Sequence, residues 1–317
     1  MVTLERRPLG RTGLSVTPLC VGTSALGSMP HLYGYAVDDD RARATLLSAF
    51  AGPINFIDTS NSYADGESER RIGAVLAELG HLPDGYVLAT KVDPAGDGGR
   101  LDFSGARARR SVAESRTRLG LDRLQLVYLH DPERISFEKA TAPDGPVAAM
   151  RALRDEGVIA HLGVAGGPLD LLRRFVDTGD FEVVISHNRY TLVDRSALGL
   201  FAHCAEVGVA VVNGAPFGGG MLAKGPDAQP NYAYRDTPEV IRERARAMQG
   251  ACARHRVPLA AAAVQFSLRQ PLITATIIGV TRPERIAETL AHCALELPAE
   301  LWAELDELAP PDDLWLG

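Results

Sequence analysis

The sequence predicts an α/β protein, a single (β/α)8 TIM barrel with an extra C-terminal helix. Three observations lead there. Eight short apolar runs alternate with longer amphipathic ones along 317 residues. The short runs are nearly continuous in Val, Ile and Leu, as expected of parallel strands buried on both faces. No linker or low-complexity segment divides the chain, so residues 1–317 read as one domain, a size that α/β barrels commonly reach.

The strand candidates, in order, are "TPLCVGT" (17–23), "INFIDTS" (54–60), "YVLATKV" (86–92) and "LQLVYLH" (124–130). They continue with "IAHLGVA" (159–165), "FEVVISH" (181–187), "VAVVNGA" (209–215) and "ITATIIGV" (273–280). After the second strand comes the polar stretch "FIDTSNSYADGESER" (56–70), in which a helix starts near Ser68. The segment 103–121 puts Ala108, Val112, Ser115 and Leu119 on one helical face, with arginines opposite. Helical patterns at 144–159, 170–180 and 196–209 stop at Gly157, Gly179 and Gly208, residues suited to a left-handed C-terminal cap. Segments 238–256 and 283–293 open on proline, which is favoured in the first helical turn. "LAAAAVQFSLRQ" (259–270) reads as an additional helix before the last strand, and "PAELWAELDELA" (298–309) as the helix outside the repeat.

Composition narrows the function. An apolar fraction of 46% supports a large core, and 23% charged residues is ordinary for a soluble protein. A net charge of −7 with no basic block argues against a nucleic-acid partner. No apolar run is long enough to span a bilayer, and the N-terminus lacks the apolar core of a signal peptide, so a cytoplasmic location is expected. Cys20, Cys204, Cys252 and Cys293 are far apart and form no C-x-x-C pair. They are expected to be small buried filler, with neither a disulfide nor a metal.

In such a barrel the strand C-terminal ends share one mouth, where chemistry is usually placed. The second strand delivers Asp58, with Tyr63 in its loop; the third delivers Lys91 and the fourth His130. Singly, a loop tyrosine or a strand-end lysine is ordinary. Four ionisable residues at the ends of three successive strands make a set. Lys91 closes an apolar run, so its burial needs a partner charge, and Asp58 on the next strand can supply it. A free phenol titrates near 10. The ammonium is expected to lower that value and make Tyr63 a proton donor or acceptor at an oxygen, with the imidazole orienting the oxygen. There is no obvious nucleophile and no metal cage, so the missing half is a hydride carrier.

The segments "GRTGLSVTPLCVGTSALG" (10–27), "NFIDTSNSYADGESERRIG" (55–73), "ATKVD" (89–93) and "LGLDRLQLVYLHDPE" (119–133) resemble the aldo-keto reductase superfamily in order, spacing and context. The resemblance implies that Asp58, Tyr63, Lys91 and His130 form a catalytic tetrad. It also implies NADP or NAD lying across the barrel mouth without a Rossmann fingerprint, and no G-x-G-x-x-G follows an early strand here. By the same resemblance Gly22, Thr23 and Asp58 face the cofactor. The loop "APFGGGML" (215–222) fits the pyrophosphate segment, implicating Ala215, Pro216, Phe217, Gly218, Gly220 and Met221. Its glycines would let backbone amides approach anionic oxygens. "IIGVTRPERIAETL" (277–290) resembles the adenosine segment, implicating Gly279, Thr281 and Glu288, with Arg282 and Arg285 placed for a 2′-phosphate.

Some positions depart from the family. Ala165 and Gly166 replace a Ser-Asn pair that holds the nicotinamide carboxamide, His187 replaces a glutamine, and Gly214 replaces a stacking aromatic. His187 is expected to donate to the carboxamide. The segments 188–198, 213–223 and 230–268 resemble the D-threo-aldose 1-dehydrogenase and L-fucose dehydrogenase group, and also pyridoxal 4-dehydrogenases. That implies oxidation of a lactol to a lactone, with a small sugar, lactol or aldehyde as substrate and His31, Tyr33, Tyr63 and His130 lining its site. Tyr232 and Tyr234 are further candidates for that lining. A general aldehyde or ketone reductase and a non-catalytic cofactor-sensing subunit remain alternatives. A monomer or small homo-oligomer, without membrane or nucleic-acid partners, is expected.

Overall fold

A computed structural model describes residues 4–93 and 101–317. Eight parallel strands close into a barrel. They are β1 (Leu19–Gly22), β2 (Phe56–Asp58), β3 (Val87–Val92) and β4 (Leu124–His130). β5 (Ile159–Gly166), β6 (Val183–His187), β7 (Ala210–Gly214) and β8 (Ala275–Gly279) complete the ring. β8 closes on β1 with Gly279 opposite Gly22. Each expected strand is present; β4 has the expected bounds, β5 runs one residue further, and the other six are trimmed where the chain leaves the ladder.

Two apolar layers account for the continuous runs. Phe56, Val87, Ala89, Leu126, Tyr128, Val183, Ile185 and Val212 fill the barrel interior. The alternate positions, such as Ile57, Leu88, Val127 and Val184, pack outward under the helices. Gly163 of β5 makes room for the largest interior ring, because a Cβ there would meet the Tyr128 ring at 2.3 Å. The bottom of the barrel is closed by a hairpin absent from the sequence expectations, Arg7–Pro8 against Ser15–Val16. It inserts Leu9 and Val16, both 0% exposed, beneath the interior layer.

Helices Glu67–Leu79, Gly105–Leu119, Pro146–Asp155, Leu169–Asp177 and Leu198–Glu206 follow β2 to β6. A helix at Asp39–Phe50, not singled out in the sequence, follows β1; Asp38 caps it by accepting from the Arg41 amide. The predicted face of 105–119 is the buried one. One assignment is corrected. Leu259–Leu268, expected to be additional, is the helix packed against β8, with nearly every residue buried. The amphipathic Glu239–Arg254 lies outside it and packs against the terminal helix Ala299–Glu307. A helix that is apolar all round must be covered on every side, and that decides which of the two lies inside. Cys20, Cys204 and Cys252 are buried and unpaired, and Cys293 is partly so.

Candidate active site

Alternation along the strands builds the site. The interior positions 56 of β2, 87 and 89 of β3, 126 and 128 of β4, and 183 and 185 of β6 are apolar or aromatic. The next inward positions are Asp58, Lys91, His130 and His187. Period two therefore carries one polar layer onto the top of an apolar plug.

Lys91 Nζ donates to Asp58 Oδ1 at 2.6 Å, to the Thr59 carbonyl at 2.7 Å and to the Tyr63 hydroxyl at 3.0 Å. The lysine and aspartate side chains are only 3% and 4% exposed. Burial raises the Asp58 carboxyl, and direct contact with Lys91 opposes that shift. Tyr63 is half-buried, and its ring meets His130 edge-on at 6.2 Å. All four predicted residues come together.

The expected depression of the Tyr63 phenol does not occur. Burial pushes it well above 10, with Asp58, Tyr33, Asp93 and Asp131 adding to the rise. The reason is that Lys91 already has its countercharge. A lysine–aspartate pair at contact is close to neutral and exerts little pull on the phenol, so desolvation wins. In the free protein Tyr63 carries its proton at neutral pH.

A fifth residue was missed. Asp93, 2% exposed, follows β3 at the inward position after Lys91, and its Oδ2 meets His130 Nδ1. Ser60 Oγ donates to the same carboxylate at 2.8 Å. The available signal was the alternation 87, 89, 91, 93. Burial lifts the Asp93 carboxyl, but the His130 contact outweighs it and the net value falls below the usual carboxylate range. For His130 burial opposes the cation, yet Asp93 overcomes it and the imidazole is raised.

Across the mouth, His187 Nε2 faces Asp131 Oδ1 at 4.0 Å, and Asn188 Nδ2 lies 3.2 Å from His187 Nδ1. Asp131, Glu133 and His187 come close enough to one another to be weighed as cation ligands. An amide donating to Nδ1 puts the ring proton on Nε2, however, so His187 faces the carboxylate as a donor. Burial, first among several causes, lowers His187 to about 4 and keeps it neutral.

A family model, the aldo/keto reductase family, matches residues 18–310. The chain belongs to that family. It is similar to D-threo-aldose 1-dehydrogenase of Pseudomonas sp., at 34% identity over 93% of this chain and 94% of the relative. L-galactose dehydrogenase of Arabidopsis thaliana is 31% identical, over 98% and 96% of the two chains. Pyridoxal 4-dehydrogenase of Microbacterium luteolum is 29% identical, over 95% and 96%. The protein is thus an NAD(P)-dependent enzyme of the aldo/keto reductase family.

The residues of this family member fit a dinucleotide. After β7 the backbone turns through Gly218, Gly219 and Gly220 at φ of 57°, 75° and 109°. A Cβ on Gly218 would strike the Tyr232 ring at 2.2 Å, so the turn presents backbone rather than side chain. Beside His187, the buried Asn188 Oδ1 has no partner among the described residues. Other predicted contacts fall unevenly. Ala215 and Phe217 are half-buried at the turn, whereas Pro216 and Met221 are buried. Gly22 is packed on Ile277, and the Thr23 hydroxyl is spent on the Asp58 carbonyl at 2.9 Å. Gly279 is exposed and open. Thr281 accepts from Arg41 at 2.6 Å through its carbonyl. Arg282 and Arg285 both pair with Glu288, at 2.9 and 3.1 Å.

The substrate candidates separate. Tyr33 hydrogen-bonds Ser24 at 2.7 Å and meets the Tyr234 ring edge-on at 6.4 Å, above the tetrad. His31 is exposed. Tyr232 is 5% exposed and donates to the Asn188 carbonyl at 2.6 Å, which makes it a structural residue.

Proposed function

We propose that the protein oxidises the anomeric hydroxyl of an aldose of the L-fucose or D-threo type to its lactone. The observation that carries this is the Tyr63 hydroxyl, 3.0 Å from a buried lysine and beside His130, at the mouth of the barrel. Two relatives bear the names of sugar dehydrogenases, which supports a sugar. Bound nicotinamide supplies the acceptor for the hydride leaving the anomeric carbon. Tyr63, having first released its own proton to solvent, takes the hydroxyl proton, while His130 donates a hydrogen bond to the same oxygen as it becomes a carbonyl. Asp58 holds Lys91 against the phenol. Asn188 and His187 would hold the carboxamide edge, and the glycine turn the pyrophosphate. NAD suits the adenosine end better than NADP, since Glu288 already occupies both arginines.

Pyridoxal, another cyclic hemiacetal, is an alternative substrate. Reduction of an aldehyde is a second reading of the same site, favoured by the protonated phenol, which is set to act as an acid. The test is absorbance at 340 nm with NAD or NADP against L-fucose, D-arabinose, L-galactose and pyridoxal. Reduction of one cofactor by a sugar, falling about a thousandfold in Tyr63→Phe, is the expected result. Turnover only of aldehydes with reduced cofactor would replace the sugar reading by carbonyl reduction. Cofactor binding without turnover in either direction would favour a sensing subunit.

A further inference from the structure

We propose that Asp93 is a positioning residue that holds His130 as an imidazolium, with its Nδ1 proton on the carboxylate and its Nε2 proton turned into the mouth. His130 then works as a cationic hydrogen-bond donor to the reacting oxygen and never as a proton acceptor. The inference rests on the reading of Tyr63 and His130 as the pair that faces that oxygen.

The placement comes from strand register. Val92 pairs with Leu129, so the next residues outward, Asp93 and His130, stand side by side on the inward face. The carboxylate is not free to swing away. It is 2% exposed and is held by Ser60 at 2.8 Å, with Ser62 in turn 3.0 Å from Ser60. A buried carboxylate against Nδ1 requires a proton on that nitrogen, and the negative charge it keeps there favours a second proton on Nε2.

The remaining charges around the ring favour the cation. Asp131 lies 3.6 Å from Nε2, too far for a good hydrogen bond, and is itself bonded by Arg134 at 2.8 Å. It therefore adds negative field without occupying Nε2. Glu133 stands beyond it on the same turn. Lys91 opposes the cation, though less than Asp93 favours it, since Lys91 is paired with Asp58. His187 opposite is neutral, and Tyr63 keeps its proton. Asp93 in direct contact thus dominates the field at the imidazole, with Asp131, already paired with Arg134, and Lys91, already paired with Asp58, adding smaller opposed effects. The consequence for an oxygen bound between Tyr63 and Nε2 is a fixed positive charge wherever alkoxide character develops, in oxidation and in reduction alike.

The test uses the full chain with isotope-labelled histidine, with the His130 resonance assigned by its loss in His130→Gln. Both ring nitrogens of wild-type His130 are expected to be protonated at pH 7. In Asp93→Asn the titration should move down by at least one pH unit, and less in Asp131→Asn. Where turnover is measurable, the ratio of wild-type to Asp93→Asn rate should be small at acid pH. It should then grow by about tenfold per unit between the two titration points. A neutral His130 at pH 7 in the wild type overturns the proposal even if Asp93→Asn does not fold. So does an unchanged titration in Asp93→Asn, or an equal or larger shift in Asp131→Asn. These resonances report without any substrate, so a failure of the sugar reading in the 340 nm assay is distinguishable from a failure of the Asp93 assignment.

Discussion

Lys91 and Asp58 show how one residue pair serves both stability and chemistry. Each is expensive to bury alone, and they meet at 2.6 Å in a site only a few per cent exposed. Asp58→Leu should therefore cost about 3–5 kcal/mol in urea unfolding, because it leaves an ammonium unpaired. Adding Lys91→Met should recover much of that loss without recovering turnover. The same neutralisation explains why Tyr63 is raised rather than lowered. The sequence showed an ammonium within reach of a phenol. It did not show how fully that ammonium was already satisfied, since this depends on distances between three separate segments. Asp93 was legible in principle, one alternation beyond Lys91. As a lone acid at the edge of a loop, however, it looked like any solvated residue.

At the scale of elements, the strands were readable because both of their faces are apolar, and their inward alternation continues into the polar layer. Most helices were readable from caps and periodicity, although Asp39–Phe50 was passed over. Which of the two helices before β8 lies inside was also written in the sequence, in the all-round apolar character of Leu259–Leu268, although the expectation set that helix outside the repeat. The helix Pro283–Ala294 carries a consequence for cofactor choice. Hydrogen bonding to Arg282, first among its causes, lowers the Glu288 carboxyl, and Arg285 pairs with the same group. A 2′-phosphate would have to compete with that carboxylate for its arginines. Glu288→Gln should free them and strengthen NADP binding about tenfold, leaving NAD nearly unchanged, as read by titration of protein fluorescence with each nucleotide. Equal affinities before and after the change would remove Glu288 from cofactor selection.

For the whole molecule the barrel places an apolar plug and the ionisable layer at opposite ends of its axis. The hairpin plug sits at the bottom and the ionisable layer at the top, with the apolar interior between them. Leu9→Ala should thus lower stability by about 2–5 kcal/mol while leaving KM and the pH profile of the folded enzyme unchanged. Among the described residues no helix is long and apolar enough to cross a membrane.

The sequence by itself determined the barrel, its eight strands, and the identity and approximate place of Asp58, Tyr63, Lys91 and His130. Periodicity and strand ends are local properties, written in consecutive residues. The tertiary structure alone decided how charge is shared within the mouth: Lys91 spent on Asp58, His130 held by Asp93, Arg282 and Arg285 held by Glu288. It also removed Tyr232 and the Thr23 hydroxyl from the working surface. These outcomes depend on hydrogen bonds and desolvation among side chains from different strands and loops, which no stretch of sequence contains.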